Sequence, residues 1–442
     1  NRRRLEYYYS GGSSNSSEKK MINKFIVMTC ADILKEVFIK QTPSDAQLSY
    51  FFRNNRNLGS HDRSDIAEIF YGVIRNRRYL EVIVDDQNPK KMILVYLMVM
   101  LGKSIRELTS IIDEHEVVWL QDKKLNKQEV DSWAIKLSLP DWLWEKLIKQ
   151  FPEKEAIELA QSLLLPAQLN LRVNTLKEKS RDEVINELRQ TFVDAAEDIL
   201  PTEHSDIGIA LPRGTPIQKH PLFLNGNIEV QDEGSQLLSL LLSPGRGQMV
   251  ADFCAGAGGK SLALSAMMKN TGRVYAFDIS ERRLANLKQR LKRSGGSNIM
   301  MLRISNENDL KVKRLKGKFD RVLVDSPCTG LGTLRRNPDL KWRQTEQSLS
   351  ELVIKQAAIL KAASSLCKIG GYLVYATCSL LDEENEGVVE EFLTQHKNFS
   401  ILPPNFVFEK LGIKLDFKNY LKLYPSQHGT DGFFGALLMR VE

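Results

Sequence analysis

The sequence predicts an α/β protein with a Rossmann-like domain at residues 234–442, preceded by an α+β linker domain and an all-α domain. From about residue 234 onward, short apolar segments alternate with helical ones, which is typical of a doubly wound parallel sheet. Helix and strand patterns are mixed over residues 153–233, and apolar residues recur at helical spacing over residues 21–152. A chain of 442 residues is long enough for the two or three cores that this division requires.

The composition is that of a folded globular protein. Hydrophobic residues make up 42% of the chain and charged residues 26%, which excludes disorder over most of its length. The longest apolar stretch, Met92–Leu101, is too short to cross a bilayer, and we interpret it as a core helix. Residues 1–20 are polar, begin with Asn and lack a signal peptide, so we interpret them as a disordered extension or an expression remnant and expect a cytoplasmic protein.

Net charge and cysteine usage limit the binding partners and the cysteine chemistry that the sequence supports. The net charge of +7 is modest and gives only a weak preference for polyanionic partners. Five cysteines, at positions 30, 254, 328, 367 and 378, lack the paired spacing of a disulfide framework or a metal site. We therefore expect no metal, and we expect any chemistry at these cysteines to be thiol chemistry.

Amphipathic segments predict the two regions before the Rossmann-like domain. Ala31–Phe38 and Ile66–Arg75 show helical periodicity in the all-α region. In the linker domain, residues 169–174 alternate as a strand and residues 181–192 form a helical pattern. The all-α region has a basic face that is either solvated or in contact with nucleic acid. This face consists of Arg75, Arg77, Arg78, Lys90 and Lys91.

Apolar runs predict the strands of the Rossmann-like domain. They are Met249–Phe253, Arg273–Asp278, Asn298–Arg303, Arg321–Asp325 and Tyr372–Thr377. The carboxyl ends of parallel strands meet at one edge of a sheet, where open α/β sheets bind ligands. Residues that directly follow these strands are therefore the first candidates for a functional site.

A glycine-rich loop, Cys254–Lys260, follows the first of these strands and opens a helix. Glycine lets the backbone approach a ligand closely, so the loop is a candidate nucleotide site. A P-loop requires glycine where Cys254 stands, and the third glycine spacing of a dinucleotide fingerprint is absent. S-adenosylmethionine is the remaining ligand class, and a tight turn without a ligand is the structural alternative.

Asp278 ends the second strand, where a carboxylate can accept both ribose hydroxyls of a nucleoside. Such an acid also serves NAD, and it is equally suited to cap the helix that begins near Ser280. Asp278 therefore fits S-adenosylmethionine without deciding for it.

Two cysteines follow the fourth and fifth strands: Cys328 comes shortly after Asp325, and Cys378 directly follows Thr377. Either cysteine alone is more typical of a small buried hydrophobe, but together they lie at the ligand edge beside an acid. Carbon 5 of cytosine is too weak a nucleophile to take a methyl group from a sulfonium until a thiolate adds to carbon 6. We predict that Cys378 is this thiolate and that Asp325 supplies a hydrogen bond or proton to the ring, while Cys328 assists the later loss of the carbon 5 proton.

Four motifs together resemble the Sun/Fmu (RsmB-like) branch of the RNA cytosine-5 methyltransferases. These motifs are Cys254–Lys260, Asp325–Cys328, Arg335–Asp339 and Thr377–Ser379. The resemblance extends over about residues 150–442 and implies a Rossmann-like S-adenosylmethionine methyltransferase domain. It assigns Cys378 as the nucleophile, Cys328 as the residue that helps release the product, and Lys260 as a catalytic lysine. The cofactor contacts that it implies are Cys254, Ala255, Gly256, Ala257, Gly258, Gly259, Lys260, Asp278, Arg283, Ser305 and Asp325.

The chain departs from the family pattern at two positions. Ser326 stands where the family usually has Ala, which is a mild change. The family generally has an Asp near the adenine at about Ser305, and we expect Ser305, Asn306 or a neighbour to make that contact here. Residues Ser64–Arg75 resemble part of the NusB-like RNA-binding domain at the front of this branch, in a shortened form.

The target cytosine must be unpaired or flipped out, because a duplex hides carbon 6 from a thiolate. The segment after Cys328 combines cations with an aromatic residue, which suits phosphate contact and base stacking. A loop held by internal ion pairs is the alternative. The predicted RNA contacts are Arg335, Arg336, Lys341, Trp342 and Arg343, together with Arg172 and Asn174 of the family's Arg-x-Asn motif.

The sequence therefore predicts an RNA cytosine-5 methyltransferase that acts on small-subunit ribosomal RNA as a monomer, without a membrane or metal partner. Two other classes stay open. One is a non-catalytic RNA-binding ribosome-assembly factor on the same fold. The other is a dinucleotide oxidoreductase, for which no hydride-transfer group is evident in the sequence.

Overall fold

A computed structural model describes residues 22–126 and 129–442, and the predicted extension at residues 1–20 lies outside them. The chain divides into two compact units. The first combines the described part of Asn1–Pro166 with Leu334–Thr345, and the second combines Ala167–Thr333 with Glu346–Glu442. Residues 167–233 of the predicted linker domain thus share a unit with the Rossmann-like sheet, whereas residues 153–166 belong to the helical unit, which also includes a segment from the second half of the chain.

The first unit consists of helices, and those between Lys24 and Leu125 share one apolar core. In Ser60–Arg75 the buried positions include Ile66, Phe70 and Val73, whereas Pro89–Val95 is buried at four consecutive residues. The helical pattern predicted for residues 21–152 is thus present in the described residues, whereas the NusB-like assignment stays a prediction. The described helices of this unit are Lys24–Lys40, Ser44–Asn54, Ser60–Arg75, Arg77–Val84, Pro89–Val95, Tyr96–Met100, Ile105–Leu108, Glu114–Leu125, Trp133–Lys136, Asp141–Gln150, Glu153–Leu163 and Leu340–Arg343.

A small antiparallel sheet begins the second unit. Its strands are β1 (Leu169–Val173), β2 (Leu200–Pro201), β3 (Gly208–Leu211) and β4 (Ile228–Val230), in the order β2-β3-β1-β4. The helix Arg181–Thr191 begins at Ser180, which forms a capping box with Glu183. This helix buries Val184 and Leu188 in the core that it shares with the sheet. Shorter helical segments follow at Val193–Asp198, Ile217–Lys219 and Pro221–Leu224.

A larger sheet forms the centre of the second unit. Its strands are β5 (Met249–Phe253), β6 (Arg273–Asp278), β7 (Ile299–Arg303), β8 (Phe319–Asp325), β9 (Cys367–Thr377), β10 (Phe399–Leu402), β11 (Leu421–Leu423) and β12 (Phe433–Arg440). Their order is β10-β12-β9-β8-β5-β6-β7, and β11 pairs with β12. The strand order reverses between β5 and β8, so the switch point for ligand binding lies at their carboxyl ends.

The sheet is mixed: the strands predicted to form a parallel sheet do so, and three further strands join them antiparallel. Strands β5 to β9 are parallel to one another, as predicted. Strands β10, β11 and β12 pair antiparallel at the β9 side of the sheet. Strand β12 is buried over most of its length, so its apolar run does not alternate and its direction could not be inferred from the sequence.

Helices cover both faces of the larger sheet. Successive residues of β8 alternate between the two resulting cores, with Val322 and Val324 in one and Leu323 in the other. The helical segments of this part are Glu233–Leu242, Gly259–Met267, Glu281–Ser294, Leu310–Lys313, Leu331–Thr333, Glu346–Ser364, Glu386–Gln395, Asn405–Leu411 and Pro425–His428. None of the helices in the described residues combines the length and apolarity that crossing a bilayer requires.

Candidate active site

The glycine-rich loop after β5 leaves room for a ligand at the switch point. Its backbone is left-handed at Cys254, Gly256 and Gly258, where φ is 67°, 59° and 85°. A Cβ at Gly258 would lie 2.1 Å from the Leu287 side chain, so this glycine allows the helix Glu281–Ser294 to pack closely. Nothing lies within 4 Å of the Cβ position at Gly256, which therefore borders open space.

The other residues of the loop are held by the surrounding structure. Ala255 donates its backbone N–H to the carbonyl of Phe277 at 2.8 Å, and the carbonyl of Ala257 accepts from Arg290 at 3.0 Å. Gly259 is the first residue of the helix Gly259–Met267. Burial raises the pKa of the Cys254 thiol, so this cysteine stays neutral at physiological pH.

Asp278, at the end of β6, joins this loop to the next one. Its Oδ2 accepts the backbone N–H of Gly256 and its Oδ1 accepts that of Ser280, each at 2.8 Å. The following helix is capped by Ser280 rather than by Asp278, because the Ser280 hydroxyl accepts the backbone N–H of Arg283. Each carboxylate oxygen of Asp278 keeps a further lone pair for a ligand hydroxyl.

Lys260 and Asp325 form an ion pair between the first helix turn and the end of β8. The Nζ of Lys260 lies 2.7 Å from Oδ2 of Asp325, and the two side chains are 13% and 31% exposed. Burial alone would lower the pKa of Lys260, but the charge of Asp325 and the hydrogen bond to it outweigh burial and raise this pKa above its usual value. The lysine is therefore a cation held beside a partly accessible carboxylate.

Asp252, on β5, is a buried acid whose role the sequence did not indicate. Its Oδ2 accepts a hydrogen bond from Ser261 at 2.6 Å, whereas its Oδ1 has no partner among the described residues. Burial raises its pKa to about 7. A buried oxygen without a donor, one residue before the loop-bearing end of the strand, is suited to a ligand group.

The two predicted catalytic cysteines meet at the carboxyl edge of the sheet. The Sγ atoms of Cys328 and Cys378 are 3.4 Å apart, and both side chains are partly accessible. The hydrogen bond to Cys378, followed by burial, raises the pKa of the Cys328 thiol well above its usual range. Across the described residues, no group of three or more His, Cys, Asp and Glu side chains could hold a metal ion.

Two further predicted cofactor residues, Arg283 and Ser305, lie on the exposed surface near this edge. Ser305 donates from its backbone N–H and its hydroxyl to Oδ2 of Asp309, at 2.8 and 3.0 Å. Hydrogen bonds from the backbones of Lys311 and Ser305 lower the pKa of Asp309. The carboxylate of Asp309 therefore lies beside Ser305, although it is four residues further along the chain than the position at which the family has its Asp.

Arg172 and Asn174, predicted to contact RNA, lie in the interior of the second unit, each 2% exposed. Arg172 donates to Gln231 at 2.8 Å. Asn174 donates to the backbone carbonyls of Gly226 and Ser294, at 2.8 and 2.9 Å. In this structure both residues connect segments of the protein, and their contact with RNA stays a prediction.

The segment Leu334–Thr345, which contains the other predicted RNA contacts, packs into the helical unit. Lys341 is 3% exposed and donates to the carbonyl of Arg75 at 2.6 Å, while the Trp342 indole donates to the carbonyl of Ile74 at 2.8 Å. These two carbonyls lie at the end of the helix Ser60–Arg75, where backbone acceptors have no partner in the helix. Lys341 and Trp342 therefore cap a helix, and their contact with RNA stays a prediction.

The cations on either side of that cap are more accessible. Arg335 and Arg336 are partly buried, and the carbonyl of Arg335 accepts a hydrogen bond from Arg75 at 2.8 Å. Arg343 is 29% exposed and pairs with Asp339 at 2.8 Å. Internal bonding, the alternative considered for this loop, thus accounts for Arg343, and RNA contact by Arg335 and Arg336 stays a prediction.

Sequence reasoning missed Glu384 and Asn385, which lie behind the two predicted catalytic cysteines. Both are buried, at 0% and 4% exposure. They stand in the run Asp382–Glu386, which resembles a solvated acidic turn between β9 and the next helix. The only signal for them was their short distance from Cys378 along the chain.

Two family models match the chain. The model described as 16S rRNA methyltransferase RsmB/F matches residues 239–439. The model described as Methyltr_RsmF/B-like, ferredoxin-like domain matches residues 139–218. The two matches together extend over β1 to β3 of the small antiparallel sheet and nearly all of the larger one.

Individual relatives agree with these models. A probable ribosomal RNA small subunit methyltransferase B of Synechocystis sp. is 30% identical over 92% of this chain and 98% of its own length. The 28S rRNA (cytosine(4447)-C(5))-methyltransferase of Homo sapiens is 32% identical over 71% of this chain and 39% of its own. The crystal structure of PH0851 superposes with a TM-score of 0.76 at 26% identity, over 97% of this chain and 100% of that one. The chain therefore belongs to the RsmB/F family of ribosomal RNA cytosine-C5 methyltransferases.

Proposed function

We propose that this enzyme transfers a methyl group from S-adenosylmethionine to carbon 5 of a cytosine in small-subunit ribosomal RNA, through a covalent bond between Cys378 and carbon 6. We place the reaction in the cytoplasm and expect the enzyme to act as a monomer. The observation that carries the proposal is the pair of thiols, Cys328 and Cys378, 3.4 Å apart at the ligand edge of the sheet. One thiol must reach carbon 6 and the other must reach the proton on carbon 5. Because these carbons are neighbours in one ring, the two thiols must lie close together.

The residues around the glycine-rich loop fit S-adenosylmethionine. Open space borders Gly256, and Asp278 keeps lone pairs for ribose hydroxyls. The unpartnered Oδ1 of Asp252 offers an acceptor for an ammonium group of the methionine portion. When bound, the cofactor supplies a methyl group on a positively charged sulfur, and these side chains hold and orient it.

The Lys260–Asp325 ion pair matches the polar edge of cytosine. That edge presents an acceptor at nitrogen 3 and a donor at the exocyclic amino group. The ammonium of Lys260 donates and the carboxylate of Asp325 accepts, so the pair supplies one complementary group for each. A fixed positive charge beside nitrogen 3 also stabilises the negative charge that develops on the ring when a thiolate adds.

The thiols divide the reaction between them. The Cys378 thiolate forms the bond to carbon 6, and the electron pair of the carbon 5–carbon 6 double bond moves to carbon 5, which takes the methyl group. Cys328, as a thiolate, then accepts the proton of carbon 5. The electrons of that C–H bond restore the double bond, and the Cys378 thiolate leaves.

The contact between the two sulfur atoms determines the order in which the thiols of Cys378 and Cys328 lose their protons. Negative charge on Cys378 is among the causes that raise the pKa of Cys328, so the two thiols resist being thiolates together. Once the sulfur of Cys378 is bonded to carbon 6, this charge is gone and Cys328 ionises more readily. The base for the second step thus becomes available only after the first bond has formed.

The test is methylation of unmodified small-subunit rRNA with labelled S-adenosylmethionine. We expect the wild type to produce 5-methylcytosine, Cys378→Ala to produce none, and Cys328→Ala to accumulate a protein–RNA adduct that survives denaturant. Cys367→Ala is the matched control, because Cys367 is buried at the start of β9, away from the ligand edge. Normal product from Cys378→Ala, or an adduct formed by that variant, would contradict the proposal.

A further inference from the structure

The loops that bear the two catalytic cysteines are joined by one buried carboxylate. Glu384 is 0% exposed and lies in the turn after β9. Its Oε1 accepts the backbone N–H of Thr329 at 2.7 Å, and its Oε2 accepts the Thr329 hydroxyl at 2.7 Å and the Ser379 hydroxyl. Thr329 directly follows Cys328 and Ser379 directly follows Cys378, so a single side chain is bonded to the residue next to each thiol.

Gln356 completes the support on the Cys328 side. Its amide donates to Oε1 of Glu384 at 3.1 Å and to the carbonyl of Pro327 at 2.9 Å. Pro327 precedes Cys328 and Thr329 follows it, so both neighbours of this cysteine are fixed through the Gln356–Glu384 pair. The chain cannot shift Cys328 along the loop without breaking one of these bonds.

Asn385 completes the support on the Cys378 side. Its Oδ1 accepts the hydroxyl of Thr377 at 2.5 Å, and its amide donates to the carbonyl of Ser379 at 3.0 Å. The residues before and after Cys378 are therefore bonded to the Glu384–Asn385 turn. Glu384 thus supports both cysteine-bearing loops, and Asn385 adds to the support of the loop that bears Cys378.

The partners of Glu384 in the described residues are neutral donors rather than cations. A buried carboxylate without a cation is costly unless each oxygen receives hydrogen bonds, and here each oxygen receives two. Apolar side chains could fill the same space without that cost. What they could not do is bond to two separate loops and determine the distance between them.

We infer that Glu384 is a positioning residue that holds the sulfurs of Cys328 and Cys378 at the separation required by two neighbouring ring carbons. Glu384 acts through Thr329 and Ser379 and does not touch the reacting atoms. The inference rests on the proposed roles of the two cysteines. Displacing either sulfur by about 1 Å would separate bond formation at carbon 6 from proton removal at carbon 5, and displacements of this size lower rates by about a hundredfold.

The experiment measures the separation of the thiols without RNA. Dibromobimane bridges two nearby thiols, each thiolate displacing one bromide, and peptide mapping identifies the 328–378 bridge. We expect Glu384→Ala to lower the rate of bridging by about tenfold or more, and Glu384→Gln, which keeps one acceptor, to restore much of it. Methyl-transfer kcat should fall in parallel, while the dissociation constant for S-adenosylhomocysteine stays unchanged.

Two sets of variants separate positioning from folding. Glu229→Gln alters a buried carboxylate elsewhere in the unit, 1% exposed and bonded to Arg290 and Arg293, and should lower Tm without changing the rate of bridging. If Glu384→Ala does not fold, Thr329→Val and Ser379→Ala, which each remove one hydroxyl, should each slow bridging several-fold.

The inference is overturned if folded Glu384→Ala bridges its thiols at the wild-type rate, or if Thr329→Val and Ser379→Ala both do. It is also overturned if slower bridging merely follows the fraction of unfolded protein. A wild type that bridges normally but makes no 5-methylcytosine would instead contradict the proposed function, because the bridging reaction requires no RNA.

Discussion

Substitution of Gly332 by Ala should disable the enzyme from a position without any side-chain chemistry. Gly332 lies in the turn after Cys328 and donates its backbone N–H to the carbonyl of Cys378 at 2.8 Å. A Cβ at this position would lie 2.2 Å from the carbonyl oxygen of Gly432 and 2.7 Å from that of Cys378. Both neighbours are backbone atoms, so neither can rotate away.

The size of the effect follows from this geometry. The distance of 2.2 Å is about 1.2 Å short of the 3.4 Å at which ordinary van der Waals contact begins. The turn after Cys328 must therefore move by about 1 Å, or the backbone at Gly432 and Cys378 must move away from it, and we expect either movement to change the separation of the two sulfurs. We expect kcat to fall by about a hundredfold and the free energy of unfolding to fall by about 1–3 kcal/mol.

Single-turnover methylation of small-subunit rRNA and denaturant unfolding measure the two effects. Gly245→Ala is the matched control, because its Cβ would lie 3.6 Å from the nearest atom, in the Gln248 side chain. This control should keep the wild-type rate. A Gly332→Ala variant that methylates within about twofold of wild type would refute the reasoning, since the turn could then absorb the extra carbon without moving the thiols.

Two further predictions concern the pH dependence of stability, measured by denaturant unfolding. Burial, and to a smaller extent the charge of Arg75, lowers the pKa of Lys341 well below its usual value. Below about pH 10.4 the unfolded chain therefore binds a proton at Lys341 that the native state binds less readily, and the free energy of unfolding of the wild type rises as the pH approaches that value. The free energy of unfolding of Lys341→Met, relative to that of the wild type, should therefore be highest at neutral pH. A difference between the two proteins that is constant between pH 7 and about 10 would contradict this. Burial raises the pKa of Asp252 to about 7. Between about pH 4 and about pH 7 the native state therefore holds a proton on Asp252 that the unfolded chain has lost, and the free energy of unfolding falls as the pH rises through this range. Asp252→Asn should remove this fall, which amounts to at most about 4 kcal/mol, and parallel pH curves for the two proteins would argue against a raised pKa.

Residues at strand ends were predictable from the sequence. Buried parallel strands are short apolar runs, so the positions of Asp278 at the end of β6 and of Cys378 after β9 followed from the pattern alone. The separation of Cys328 and Cys378 did not follow, because 49 residues lie between them and their distance depends on hydrogen bonds made by Glu384 and Asn385. An acidic turn has the same composition whether it is solvated or buried behind two thiols.

Buried cations were the least predictable residues. Lys341 and Trp342 have the composition of an RNA-binding loop, but their partners are backbone carbonyls of Arg75 and Ile74. Backbone acceptors are the same for every residue type and leave no signal in the sequence. Arg172 is similar, because its partner Gln231 is 59 residues away and has no pattern that marks it as buried.

The helical unit is assembled from two stretches of chain, the described part of Asn1–Pro166 and Leu334–Thr345. During synthesis, an amino-terminal domain normally folds as soon as it leaves the ribosome. Here two carbonyls in the last turn of the helix Ser60–Arg75 receive hydrogen bonds from Lys341 and Trp342, which are translated more than 260 residues later. The helical unit must therefore remain incomplete until β5 to β8 have been made, and a fragment that stops before Leu334 would leave those helix-end carbonyls without the partners they have in the whole chain.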